Sequence, residues 1–433
     1  MLCNNIGAND AGHLTFAGLD TVALANKYQT PLYLMDEDRI RANCRLYQQA
    51  MAESFGEGSY PLYASKASSF KHMYEIMKEE GMSIDLVSSG EIYTAVKAGF
   101  PMERSFFHGN SKTDFDIAYA MDCGVGHFVI DNFTELEAVN EEALRRGIRQ
   151  KALLRLTPGI DPHTYEAVAT GKVDSKFGLA IETGQAALIV RRALELPGVE
   201  LLGYHCHVGS QVFDEDGTVY LDAAEIFLRF SAEMKAQLGF TPTVLNLGGG
   251  FGVRYVESDS HVDIAKNIRT IADFIRKRSA ELSLEMPAIL MEPGRSIVAD
   301  AGMTLYTVGT VKEIPGYKNY VSIDGGMTDN PRYALYESSY TVLSASAPNA
   351  DADFPCDLVG RCCESGDIIQ PGISLPRPER GDIVAVCTTG AYNYSMASNY
   401  NRIPRPPVVM LKGGEDFVAV KRESLEDLLR NDI

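Results

Sequence analysis

Between residues 60 and 292 short apolar runs alternate with longer amphipathic stretches, and this alternation constrains the fold more than any other feature of the chain. The apolar runs are YPLYAS at 60–65, SIDLV at 83–87, RSFFH at 104–108, GHFVI at 126–130, KALLRL at 151–156, LLGYHCH at 201–207, TVLNL at 243–247 and PAILME at 287–292. The stretches between them, such as 90–99, 113–123, 133–146, 183–196, 217–238 and 262–283, suit helices. In TELEAVNEEALRRG, Leu136, Val139 and Leu144 fall on one helical face, and Gly147 is a natural C-terminal stop. Strands that alternate with helices imply a parallel sheet. Eight such units in about 230 residues match an α/β fold of the (β/α)8 TIM-barrel type.

After about residue 300 the pattern changes. TLYTVGTVKEI, NYVSID, DIVAVCTT, PPVVMLK and DFVAVKR read as strands joined by turns, with few helices. PPVVMLK and FVAVKR form an expected hairpin around Gly413 and Gly414. The early run PLYLMD at 31–36 can pair with that region. The expected organisation is a barrel over 38–300, with 1–37 and 301–433 making a discontinuous, mainly antiparallel β domain.

The side chains include 40 basic and 58 acidic groups, for a net charge of −18. Such a surface repels phosphate backbones, so no nucleic-acid partner is expected, and an anionic ligand needs a local cluster of donors. No 18-residue apolar run marks a membrane span, and the N-terminus lacks the basic-then-apolar signature of a signal peptide. The eight cysteines are scattered, which suits free thiols in a reducing cytoplasm.

In barrel enzymes the chemistry sits at the C-terminal ends of the strands. Here Lys66, Asp85, His108, Asp131, Arg155, His205 and His207, Gly248–Gly250, and Glu292 close or follow the eight expected strands in turn. Each has a plain alternative: a surface lysine, a tight glycine turn, buried hydrogen-bonded histidines. Two histidines in HCH also raise a metal site, but no further ligand has supporting spacing, so no metal is expected. Together, a lysine, a glycine-rich loop and a carboxylate at one barrel mouth suit pyridoxal 5′-phosphate. A lysine amine can hold its aldehyde as a Schiff base. Bare backbone N–H groups can take its phosphate, and a carboxylate can keep its ring nitrogen protonated. On this reading Lys66 anchors the cofactor, Glu292 faces the ring nitrogen, His207 stacks on the ring, and Ser210 with Gly248, Gly249 and Gly250 holds the phosphate. A thiol such as Cys363 can then return a proton to Cα after CO2 leaves.

The motifs YASKA (63–67), HGNSK (108–112), SKFGL (175–179), HCHVGSQ (205–211), LGGGFG (247–252), EPGRSIVADAG (292–302), PRYALYES (331–338), CCESGD (362–367) and GAYNYSMASNYNR (390–402) are similar to those of diaminopimelate decarboxylases. These belong to the alanine racemase-like group of pyridoxal phosphate enzymes, and the resemblance runs through nearly the whole chain. It implies a barrel plus a β domain, and a homodimer with shared active sites. It implies that Lys66 is the Schiff-base lysine, His207 the ring-stacking residue and Glu292 the ring-nitrogen partner. Gly250 and the 292–295 segment, with Gly294 and Arg295, resemble phosphate contacts. Arg295, Arg332, Tyr336 and Glu364 resemble substrate contacts, Tyr392 resembles a residue that touches both cofactor and substrate, and Cys363 resembles the proton donor contributed from the partner subunit. The implied reaction takes meso-2,6-diaminopimelate to L-lysine and CO2, the last step of lysine synthesis.

The chain departs from the family pattern at Arg361 and Cys362, which precede the Cys363–Glu364 pair, and at Tyr333, which replaces a proline. Arg295 and Arg332 suit the distal carboxylate of diaminopimelate, because a guanidinium binds a carboxylate through two parallel hydrogen bonds. Decarboxylation of lysine, ornithine or a carboxylated polyamine is the alternative, as is a racemase. Racemases of this group typically place an arginine at the ring nitrogen, where this chain has Glu292.

Overall fold

The computed structural model describes residues 3–160, 175–214 and 216–433. These divide into two compact units: one of Cys44–Gly252 with His261–Ser296, and one of residues up to Asn43 with Val253–Ser260 and Ile297–Ile433.

The first unit is a closed parallel barrel. Its strands are β1 (Tyr60–Ala64), β2 (Ser83–Leu86), β3 (Ser105–Phe107), β4 (His127–Ile130), β5 (Gln150–Thr157), β6 (Val199–His205), β7 (Val244–Asn246) and β8 (Ala288–Met291). Each pairs in parallel with the next. The ring closes where Leu290 of β8 pairs with Tyr60 of β1. All eight expected strands are present, each within two residues of its expected ends.

The helices between them are α1 (Lys71–Glu79), α2 (Ser89–Lys97), α3 (Asp114–Asp122), α4 (Phe133–Arg146), α5 (Gln185–Glu195), α6 (Thr218–Leu238) and α7 (Ile264–Glu281). Several starts are set by side-chain caps that satisfy otherwise unpaired N–H groups. Ser88 accepts from Glu91, Asn132 from Glu135 and Asp263 from Lys266, while Thr113 and Asp116 form a reciprocal capping box. Gly147 ends α4 in the left-handed conformation, as expected for a glycine stop.

The barrel interior is packed. Leu62, Phe106, Val129, Leu153 and Leu290, drawn from five strands, form one buried cluster. Burying each such side chain contributes about 1.5–3 kcal/mol. This filled layer makes a floor, so polar side chains at the strand ends project from a rigid base.

The second unit is a mainly antiparallel sheet built on the 13-residue strand Gly302–Ile314. That strand pairs antiparallel with Leu32–Asp36, Lys318–Ile323 and Ile383–Cys387. PLYLMD therefore does join the later strands. Leu32, Leu34, Met303, Leu305, Ala385, Cys387, Val409 and Leu411 form its core. Val408–Lys412 and Glu415–Val420 make the expected hairpin, with positive φ at both Gly413 and Gly414. Two further strands, Phe354–Val359 and Ile368–Leu375, have no clear sequence signature. Pro355 and Pro371 interrupt their apolar pattern, and proline seldom marks a strand interior.

Candidate active site

The end of β1 runs into a single helical turn, Ser65–Ala67. Ser65 and Ala67 are buried while Lys66 between them is exposed, so the turn lifts one amine out of the packed floor. Asp85, at the end of β2, accepts from Ser65 N at 3.2 Å and braces the turn. Gly294 closes the other side. A Cβ there would meet the Ala64 Cβ at 2.8 Å and the Ala67 Cβ at 3.1 Å, so only glycine lets the EPGR loop pack against the lysine turn.

Glu292, just beyond β8, is 7% exposed and is held by three partners. Asn246 Nδ2 donates to its Oε1 at 2.7 Å. His205 Nε2 lies 3.0 Å from Oε2. His108 Nε2 lies 2.8 Å from Oε1. Burial disfavours charge on Glu292, but His108 and His205 outweigh it and hold the carboxyl well below the usual range. Burial pushes His205 down to about 4 despite Glu292, so its imidazole is neutral near pH 7. His207 is only partly exposed, and burial with the Lys66 charge holds it well below its ordinary value.

The loop after β6 carries Ser210, and Arg295 opens the short helical turn Arg295–Val298 after β8. Arg295 Nη2 donates to Ser210 Oγ at 3.0 Å, and its Nε does so at 3.3 Å. The Gly248–Gly250 loop runs alongside. Val212 N donates to Gly250 O, and Gly252 N to Val212 O, both at 2.9 Å. Gly250 has a φ of +122°, and a Cβ there would lie 2.3 Å from Gly209 O. The glycines thus let two loops pack backbone to backbone beside a hydroxyl and a guanidinium. That donor set suits a phosphate, and an ionised carboxylate on the floor suits a protonated ring nitrogen. The residues present therefore fit pyridoxal phosphate.

SKFGL packs on this mouth. Gly178 N donates to Asp131 Oδ1 at 2.9 Å, and the Arg155 guanidinium lies 4.3 Å from the Phe177 ring centre. In HGNSK, Lys112 turns inward and pairs with Glu135 at 2.7 Å.

The remaining candidates lie in the second unit. Arg332 is 6% exposed, with its guanidinium 5.2 Å from the Tyr336 ring centre and 5.5 Å from that of Tyr392. Its Nη2 donates to Ser338 Oγ at 3.2 Å. Tyr392 holds a positive φ of 61°. Cys363 and Glu364 are exposed on a different loop of this unit, as is Arg361. Cys363 N donates to Asn401 Oδ1 at 2.8 Å, and the buried Asp367 accepts from Cys362 N at 2.7 Å and Met327 N at 2.6 Å. Burial, reinforced by Asp367, pushes the Cys362 thiol up to about 11.

The sequence places His108 and His205 at strand ends but gives them no partner, and Asn246 is absent from the expected site residues. The fold joins all three to Glu292. The polar Asn246 inside the apolar run TVLNL was the available signal. The nitrogens of His108 and His205 and a Glu292 oxygen lie within 4.8 Å of one another, a donor set that can also hold a cation. Sequence spacing could not reveal this trio, because its members come from three separate strand ends.

The family model for the pyridoxal binding domain of pyridoxal-dependent decarboxylases matches residues 37–299. Diaminopimelate decarboxylase of Bacillus methanolicus is 45% identical over 96% of both chains. That of Bacillus subtilis is 44% identical over 98% of this chain and 96% of its own. The crystal structure of M. jannaschii diaminopimelate decarboxylase in complex with L-lysine superposes with a TM-score of 0.90 at 33% identity, covering 99% of this chain and 98% of that one. With this likeness running through both units, the chain belongs to the diaminopimelate decarboxylases, a family of pyridoxal-dependent enzymes.

Proposed function

We propose that this protein decarboxylates meso-2,6-diaminopimelate to L-lysine and CO2, using pyridoxal phosphate held on Lys66. The observation that carries the reading is the ionised Glu292 on the barrel floor, in the same mouth as Lys66 and the Ser210–Arg295 pair. When bound, the cofactor supplies an electron sink for the charge left at Cα.

The protein's own groups do the rest. Lys66 would hold the cofactor. His207 would stack on its ring, and Glu292 would keep a proton on its ring nitrogen. Ser210, Gly248, Gly249, Gly250, Gly294 and Arg295 would take its phosphate. Arg295, Arg332, Tyr336 and Glu364 bind the distal amino acid head of the substrate, and Tyr392 touches both ligands. The close packing of Arg332 with two tyrosine rings supports a fixed carboxylate clamp. Cys363 delivers the proton to Cα. Its exposure on a surface loop of a single chain suits donation into a partner's site, and so a homodimer with shared active sites. Among the described residues no helix is long and apolar enough to cross a membrane, and a cytoplasmic location fits the free thiols.

The test is to incubate the protein with pyridoxal phosphate and meso-diaminopimelate and to measure L-lysine and CO2. Faster turnover of L-lysine or ornithine would overturn the substrate assignment. Interconversion of alanine enantiomers faster than CO2 release would overturn the reaction type.

A further inference from the structure

His108 and His205 are assigned no contact with ring, phosphate or substrate, yet they are 4% and 1% exposed at the barrel floor. They arrive from opposite parts of the strand order. His108 follows β3, with its N donating to Leu86 O at 2.8 Å. His205 ends β6, where it pairs with Asn246 of β7. Their rings meet edge to face with centres 4.8 Å apart, and both point a Nε2 at Glu292.

A carboxylate this deep is driven to take up a proton unless donors surround it. Asp85 adds like charge nearby, while Arg155 adds opposite charge from another strand end. Asn246 supplies one hydrogen-bond donor. The second comes from His205. An imidazole facing an ionised carboxylate through Nε2 carries its hydrogen there. His205 Nδ1 is then the bare nitrogen, and it has no hydrogen-bond partner among the described residues.

We propose that His205, supported by His108, is a positioning residue that holds Glu292 ionised and in one orientation before the cofactor binds. The ring nitrogen then meets a fixed anion and does not have to recruit one. The strength of the electron sink is thereby set by two side chains that never touch the cofactor. This rests on the reading of Glu292 as the ring-nitrogen partner.

The test compares the full-length protein with His205→Leu, His205→Asn and His205→Gln. The readouts are the dissociation constant for pyridoxal phosphate and the 15N chemical shift of ring-labelled cofactor, which reports whether that nitrogen is protonated. Losing one charge-assisted donor is expected to weaken cofactor binding by about tenfold and to move the 15N signal toward the unprotonated position in His205→Leu. His205→Asn stays polar but is too short to reach Glu292, so it should match the leucine variant. His205→Gln places an amide N–H near the site of Nε2 and should restore both readouts. Wild-type affinity and shift in the leucine or asparagine variant would overturn the proposal, as would a glutamine variant as impaired as the leucine one. If the unsubstituted protein takes up no cofactor at all, the proposed function itself fails, a result distinct from equal behaviour of variants that do bind it.

Discussion

Arg295 and Ser210 are joined by two hydrogen bonds, at 3.0 and 3.3 Å, that tie the helical turn after β8 to the loop after β6. The pair presents a buried guanidinium and a hydroxyl beside the glycine loop. Substituting Arg295 by alanine removes the one charge of the pair. Cofactor binding should weaken by roughly ten- to a hundredfold, since hydrogen bonds to charged groups contribute about 1.5–3 kcal/mol. An absorbance titration with pyridoxal phosphate measures this, and unchanged affinity would move the phosphate site elsewhere.

Lys66 is the exposed member of an otherwise buried turn. Lys66→Ala should abolish covalent retention of the cofactor while leaving the turn folded. Borohydride reduction followed by intact-mass measurement checks it. A cofactor adduct on the alanine variant would assign the linkage to another amine.

Cys363 sits exposed on a loop pinned by Asp367 and Asn401. Cys363→Ala leaves those backbone bonds in place. Turnover should fall by roughly 10²–10⁴-fold, the usual worth of a general acid, with cofactor affinity unaltered. Steady-state kinetics and the titration above separate the two effects, and full turnover in the variant would name another proton donor.

Lys112 and Glu135 form an ion pair with side chains only 2% and 3% exposed, and Lys112 Nζ also donates to the Gly109 and Val129 carbonyls at 2.9 Å. Glu135→Ala leaves a buried ammonium without its counter-charge and should cost about 3–5 kcal/mol of stability. Replacing both residues with apolar ones should recover much of that loss. Denaturant unfolding measures both, and an equal loss in the double variant would mean the pair has a role beyond mutual neutralisation.

Asp329 is buried, with Tyr306 Oη donating to one of its oxygens and Gly326 N to the other. Burial pushes its carboxyl up to about 7, against the donors that lower it. Between about pH 4 and 7 the folded chain keeps a proton that the unfolded chain has released, so this group's contribution to stability falls as pH rises through that window. Asp329→Asn should flatten that slope. Unfolding free energies at pH 5 and pH 7 test it, and an unchanged slope would assign the dependence to other groups.

The barrel was legible because its strands are buried on both faces, so each reads as an apolar run bounded by polar residues. Lys66, Glu292 and Gly248–Gly250 were legible as site candidates because polar residues at strand ends break those runs. Phe354–Val359 and Ile368–Leu375 were not, since Pro355 and Pro371 give them no clean period. Nor was the Asn246–Glu292 bond visible, because its partners are 46 positions apart in the chain.

The sequence by itself determined which residues end each strand, and so which side chains face the barrel mouth. Periodicity and burial are local properties, readable a few residues at a time. Only the tertiary structure decided which of those side chains meet. Closure of the barrel brings β3, β6, β7 and β8 onto one carboxylate, and that convergence turns Glu292 from one polar residue among many into a buried anion held by His108, His205 and Asn246.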